Sequence, residues 1–308
     1  MKLQKLLCLG FSGSELEDIY WQELDALAEK RVIGELADNT DADGLLVKLG
    51  AKVLEETIDQ LPSLKYIGML GTGYGGIDAA YAASKGITVT NIADYATEGV
   101  AEFTFGILLE HIRAIAHAKG QAKNEDYSDN FSGTEIKGKK FGVIGLGNIG
   151  LRTAELAQAF GADVNYWSKN RKDDAEAKGI KYSEIDELLS GSDIITINLA
   201  LNPETDGFLN PQRIESIKKG AIVINPSPME LLELQALKKS LNHDQFTFML
   251  DHSDEVEADE IRQLAGLKQC IVYPPIAYLT AEASALKKRI YVDNVKNFLA
   301  GKPSNKVN

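Results

Sequence analysis

The chain is 308 residues long, 44% apolar and 25% charged, the makeup of a globular protein able to bury one large or two ordinary cores. Its formal net charge of −12 argues against nucleic acid or an anionic membrane as partner, because phosphate groups would be repelled. The two cysteines, Cys8 and Cys270, are too few for a disulfide framework, so buried thiols in a reducing cytoplasm are expected.

The opening apolar run, residues 6–11, is shorter than the ~7–15 residues of a secretory core. It reads as a first β-strand. Residues 14–29 follow as a helix, with Ser14 as N-cap and Glu17 at capping-box spacing. Residues 44–47 read as a strand, 51–60 as a helix, 66–69 as a strand, 77–85 as a helix and 87–91 as a strand. This alternation predicts βαβ units around a mainly parallel sheet. Residues 97–119 then read as one long helix, apolar over much of its surface. A polar loop is expected over 124–138. A second alternating series starts at Lys140, with strands predicted at 141–144, 162–167, 193–199, 221–225, 247–250 and 270–273. A final helix is expected over 281–299. No stretch approaches the ~20 apolar residues of a membrane span.

Gly145-Leu146-Gly147-Asn148-Ile149-Gly150 matches the Gly-x-Gly-x-x-Gly pattern, between a strand-like run and a helix-like one. That context is what dinucleotide binding requires. Gly145 permits a tight turn, Gly147 lets the backbone approach a pyrophosphate, and Gly150 lets the helix pack close to the strand. Asn148 and Ile149 would open the helix whose N-terminus faces the phosphate. An acidic residue should close the next strand and hold the ribose of NAD. Here the segment reads Ser168-Lys169-Asn170-Arg171-Lys172. Ser168, Lys169 and Arg171 suit a 2′-phosphate, which favours NADP over NAD.

The order and spacing of several further segments resemble the D-2-hydroxyacid dehydrogenase family. They are Gly71-Thr72-Gly73 before Ile77-Asp78, residues 86–91, Val100-Ala101-Glu102, the glycine loop, Asn202-Pro203-Glu204-Thr205, residues 219–225, and Leu250-Asp251. The resemblance covers nearly the whole chain. It implies an α/β fold of two Rossmann-like domains with parallel sheets, the nucleotide domain inserted into the substrate domain. Residues 1–98 and 278–308 would form the flavodoxin-like substrate domain, and residues 99–277 the dinucleotide-binding domain. It also implies a homodimer joined through the nucleotide domains. Gly71, Thr72 and Gly73 would offer backbone N–H groups to a small-molecule carboxylate. Thr97, Asn225 and Asp251 would join the cofactor-binding residues. No metal is implied.

Hydride transfer to a 2-keto acid needs a general acid, a carboxylate to orient it, and a cation for the substrate carboxylate. The resemblance puts the cation at Pro228 and the acid at Pro275, and proline supplies neither group. The orienting carboxylate falls on Asp254. Lys48, after the expected strand 44–47, and His252, directly after Asp251 at a strand's carboxyl end, are the candidate substitutes. Tyr74, Tyr95 and Tyr278 flank matched segments as further donors. His111, His117 and His243 read as helix or surface-turn residues. Two functions therefore compete: an oxidoreductase interconverting 2-keto and 2-hydroxy acids, and a catalytically degenerate dinucleotide-binding or sensing module.

Overall fold

The computed structural model describes residues 2–308, the Glu255 side chain excepted. It divides into two compact units, an outer one of Met1–Tyr95 with Ala281–Asn308 and a middle one of Ala96–Thr280. The middle unit thus starts three residues before the expected boundary and ends three after it.

The outer unit begins with β1 (Leu3–Leu9), α1 (Asp18–Leu27), β2 (Ala28–Gly34), β3 (Gly44–Lys48), α2 (Glu55–Asp59), β4 (Tyr66–Leu70), α3 (Ala79–Ser84) and β5 (Thr88–Thr90). All five strands are parallel, in the order β2-β1-β3-β4-β5. Leu6, Leu7, Leu45, Leu46, Tyr66 and Ile67 are fully buried, as expected for strands covered on both faces. Two expectations fail here. Ser14 does not cap α1: the helix starts at Asp18 after Glu17, which makes no side-chain cap. Instead the Glu15 carboxylate accepts the N–H groups of Ser12 and Gly13. The stretch expected to end the first helix is β2, an edge strand. Its Glu-Lys-Arg run points largely to solvent, as charged edges do, and this masks the strand pattern.

The middle unit contains α4 (Thr97–Ile112), α5 (Ile115–Lys123), β6 (Lys140–Ile144), α6 (Asn148–Ala159), β7 (Asp163–Trp167), α7 (Asp173–Glu176), β8 (Lys181–Tyr182), α8 (Ile185–Gly191), β9 (Ile194–Ile197), α9 (Pro211–Ser216), β10 (Ile222–Asn225), α10 (Leu234–Asn242), β11 (Thr247–Leu250), α11 (Ala258–Ala265) and β12 (Cys270–Val272). Its seven strands are again all parallel, in the order β12-β11-β10-β9-β6-β7-β8. The order reverses beside β6, where open α/β sheets place ligands at the strands' carboxyl ends. The single helix expected over 97–119 is broken. Ala114 takes a left-handed conformation (φ 49°), which ends α4, and the free Ile112 carbonyl accepts the N–H of Thr134. α4 buries Val100, Ala101, Phe105 and Leu108, and Phe105 stacks on Phe141 and Phe160 at 5.9 and 5.1 Å.

The chain returns to the outer unit as α12 (Ala281–Leu299), the expected last helix. It packs along α1 and β4. Its fully buried Tyr291 donates its hydroxyl toward the carbonyls of Val47 and Gly68, and Asn294 donates to the carbonyl of Asn91 at 2.7 Å. Cys8 and Cys270 are buried free thiols. Among the described residues no helix is long and apolar enough to cross a membrane, and no cluster of metal-ligating side chains occurs.

Candidate active site

The glycine loop turns from β6 into α6. Gly145 has φ 92°, and a Cβ there would lie 2.5 Å from the Asn198 carbonyl oxygen. Gly150 is tighter still, because its Cβ would fall 1.9 Å from the Gly145 carbonyl oxygen. Gly147 is different: nothing lies within 4 Å of the position a Cβ would take. Two glycines are thus required by the protein's own packing, while the third leaves an open face. Gly147 and Asn148 are exposed, Ile149 is half-buried, and α6 starts at Asn148 with its N-terminus unsatisfied by any side-chain cap. An open, uncapped helix start of this kind could hold an anion such as a pyrophosphate. Asn198, one residue beyond β9 and beside this turn, leaves its buried Oδ1 without a partner. It marks the same crevice as able to take a ligand donor. Asn198 was not singled out from the sequence; its signal was a polar residue ending an apolar strand.

At the end of β7 the expected basic residues are already engaged. Arg171 donates to both oxygens of Glu176 at 3.0 and 2.6 Å and lies over the Tyr182 ring. Glu176 also accepts the Tyr166 hydroxyl at 3.0 Å, and the Arg171 guanidinium holds its carboxyl below the usual range. Lys169 pairs with Glu204. Ser168 is buried and donates to the carbonyl of Asn170 at 2.5 Å. Glu176 and Glu204 went unremarked as partners in the sequence, since they lie 5 and 35 residues away from the bases they hold.

The carboxyl ends of β10, β11 and β12 gather the remaining middle-unit residues. Asn225 is fully buried, accepts the N–H of Ser227 at 3.2 Å and donates to Met229 Sδ at 3.3 Å. Its amide therefore shapes the turn that carries half-buried Pro228. Asp251, 2% exposed, accepts the N–H groups of Ile276 at 2.9 Å and Ala277 at 3.1 Å. Burial pushes its carboxyl up, against the pull of those two N–H groups. This clamp fixes the segment just after half-buried Pro275. His252 is half-buried and its charge lowers the Asp251 value, while exposed Asp254 raises it. Thr97 is half-buried at the first position of α4. Tyr273 donates its hydroxyl to Glu110 at 3.2 Å, and burial pushes its phenol up to about 12.

Lys48 and Gly71-Thr72-Gly73 belong to the outer unit. Gly71 is buried, with a Cβ position 2.9 Å from Leu49 Cγ, whereas Thr72 and Gly73 are exposed. The loop is held by Thr72 Oγ1 donating to Ile92 O and by Asn91 Nδ2 donating to Thr72 O. Lys48 Nζ pairs with Glu15 Oε1 at 2.9 Å. His243 is exposed with Nδ1 against the Lys239 carbonyl, and His117 packs edge-on against Phe131. Burial lowers the His111 imidazole from its ordinary value.

Residues 105–277 match the family described as "D-isomer specific 2-hydroxyacid dehydrogenase, NAD binding domain". The whole chain is similar to a hydroxypyruvate reductase of Blautia hydrogenotrophica, 32% identical over 94% of this chain and 95% of that protein. Among solved structures it resembles the D-lactate dehydrogenase of Aquifex aeolicus complexed with NAD and lactic acid. There the identity is 27%, the TM-score 0.82, and 96% of each chain is covered. A 2-hydroxyacid dehydrogenase from Ketogulonicigenium vulgare Y25, at 23% identity and TM-score 0.86 over 100% of this chain and 99% of that one, shares the fold.

Proposed function

This chain belongs to the D-isomer specific 2-hydroxyacid dehydrogenase family, and we propose from that premise that it binds NADP(H) and reduces a small 2-oxo acid slowly. The observation that carries the reading is the open face at Gly147 beside two glycines that packing alone demands. Gly145, Gly147, Asn148, Ile149 and Gly150 would hold the pyrophosphate. Ser168, Lys169 and Arg171 would take the 2′-phosphate, and Thr97, Asn225 and Asp251 would flank the nicotinamide end. The exposed pairs made by Lys169 and Arg171 do not bar this, because such pairs contribute only about 0–1 kcal/mol and can exchange for a phosphate. When bound, the nicotinamide supplies a hydride.

The chain's own residues must bind the acid, orient it and protonate the carbonyl oxygen. Gly71, Thr72 and Gly73 would offer N–H groups to its carboxylate. Pro228 and Pro275 stand where the resemblance places a cation and an acid. His252, beside Asp251, and Asp254 are the candidates left for proton movement, and Lys48 for charge. Loss of a general acid costs about 10²–10⁴ in rate, so turnover of about 0.1 s⁻¹ or less is expected against a usual value near ~10 s⁻¹. The same prolines favour a second reading, a dinucleotide-binding module without turnover.

The working form would be a homodimer in the cytoplasm. Sedimentation at micromolar concentration checks this, and a monomer would refute it. The main test is oxidation of NADPH and NADH at high protein concentration with glyoxylate, hydroxypyruvate, pyruvate and longer 2-oxo acids. Slow consumption with one acid supports the enzyme. Measured cofactor binding with no consumption across the panel overturns it in favour of the second reading.

A further inference from the structure

A cavity of about 360 Å³ opens in the outer unit, lined by Glu15, Lys48, Leu49, Leu70, Ser284, Lys287 and Lys288. That is within the ~300–1,000 Å³ usual for small-molecule sites. Three ammonium groups meet there, and two are neutralised. Lys48 pairs with Glu15, and Lys288 pairs with Glu17. Lys287 has no carboxylate partner among the described residues; its ammonium lies 5.5 Å from the centre of the Tyr95 ring.

The position of Lys287 on α12 is unusual. Residues four apart share a helix face, and Ala283 and Tyr291 on either side of it are buried, at 4% and 0% exposure. Lys287 therefore sits on the inward stripe, where an apolar side chain would pack without cost. Burial and the neighbouring Lys288 ammonium push its amine below the ordinary lysine value, the mark of a charge lacking its counter-ion. The cavity also adjoins the Gly71-Thr72-Gly73 loop of the same unit, because Leu49 lines it and covers Gly71.

We propose that Lys287 is an anion-binding residue of this unit: its ammonium, with Lys48 beside it, binds the carboxylate of a small 2-oxo or 2-hydroxy acid in the cavity between α12 and the ends of β3 and β4. This deepens the function proposed above and rests on it for the class of acid. It gives the substrate carboxylate a cation that Pro228 does not supply. Charge accounting fixes the ligand as an anion: one carboxylate neutralises the one ammonium left over, while a neutral or cationic ligand would leave Lys287 uncompensated.

The test is calorimetric titration of the full chain with oxamate, with and without saturating NADPH, comparing wild type with Lys287→Gln, Lys287→Arg and Lys85→Gln. Lys85 pairs with Asp59, outside the cavity, and controls for net charge. Lys287→Gln is expected to weaken oxamate at least tenfold. Lys287→Arg should stay within threefold of wild type, and Lys85→Gln within twofold. The thermal midpoint of Lys287→Gln should hold or rise, whereas a merely structural lysine would lower it on removal. Equal affinity in wild type and Lys287→Gln, or no oxamate binding in either state of the wild type, overturns the proposal. Failure of NADPH to bind overturns the cofactor reading instead, and the titration without cofactor then still decides the role of Lys287.

Discussion

Gly150 stands so close to Gly145 that a Cβ on the one would lie 1.9 Å from the carbonyl oxygen of the other. A methyl group there must push α6 off β6. Gly147, two residues after Gly145, faces open space. The two glycines therefore separate the demands of folding from the proposed binding. Gly150→Ala is expected to cost about 3 kcal/mol, the upper end of the ~1–3 kcal/mol typical of overpacking. Gly147→Ala should melt within a degree or two of wild type yet weaken dinucleotide binding tenfold or more. Melting curves beside NADPH fluorescence titrations check both, and normal binding in Gly147→Ala would refute the cradle.

Asp251 accepts two N–H groups from the segment after Pro275. Removal of that carboxylate strands the buried Ala277 N–H. Asp251→Ala should lose about 1–3 kcal/mol, a fall of roughly 2–5 °C in melting temperature for a chain of this length. Asp251→Asn keeps an acceptor oxygen and removes a buried charge, so it should lie within about 1 kcal/mol of wild type. Equal losses in the two variants would show that the contact is not what matters.

Arg171 is shared between Glu176 and the proposed 2′-phosphate site. Glu176→Gln should free the guanidinium and improve NADPH binding two- to fivefold, with little change for NADH. Arg171→Ala should weaken NADPH by about ten- to a hundredfold, in line with one charged hydrogen-bonded contact of ~1.5–3 kcal/mol. NADH favoured by wild type in direct titration would overturn the NADP(H) preference itself.

Glu15 ties Ser12, Gly13 and Lys48 together. Burial pushes its carboxyl up, but hydrogen bonds from Lys48 and the Ser12 N–H outweigh that and leave it at about 2, below the ordinary 4.5. A carboxyl lowered in the folded state stabilises the protein above its unfolded value, and the contribution drains away as pH falls through the folded one. The stability gap between wild type and Glu15→Gln should therefore be full at pH 6 and shrink between pH 4.5 and about 2. Urea unfolding at pH 6, 4 and 3 reads this, and a gap independent of pH would contradict it.

The alternation of apolar runs with helical patterns, the glycine loop and the final helix at Ala281–Leu299 were legible because each depends on residues close in the chain. Strand burial follows local runs, and Gly145 is marked by its own left-handed φ, although the Asn198 carbonyl from a distant segment closes the same space. The edge strand β2 was hidden because solvent covers much of it, so its charges break the strand pattern. The left-handed Ala114 that splits the long helix carries no sequence mark, since alanine is a helix former.

The sequence by itself determined the family, the parallel α/β architecture and the glycine-rich turn from β6 into α6. Tertiary structure alone decided which charges are satisfied. Lys169 meets Glu204, and Lys48 meets Glu15. Lys287 lies on the inward stripe of α12 beside a cavity. The physical reason is range. Backbone geometry and hydrophobic period are set within a few residues, whereas the counter-ions of Lys48 and Lys169 come from segments tens of residues away that only folding brings within Coulombic reach.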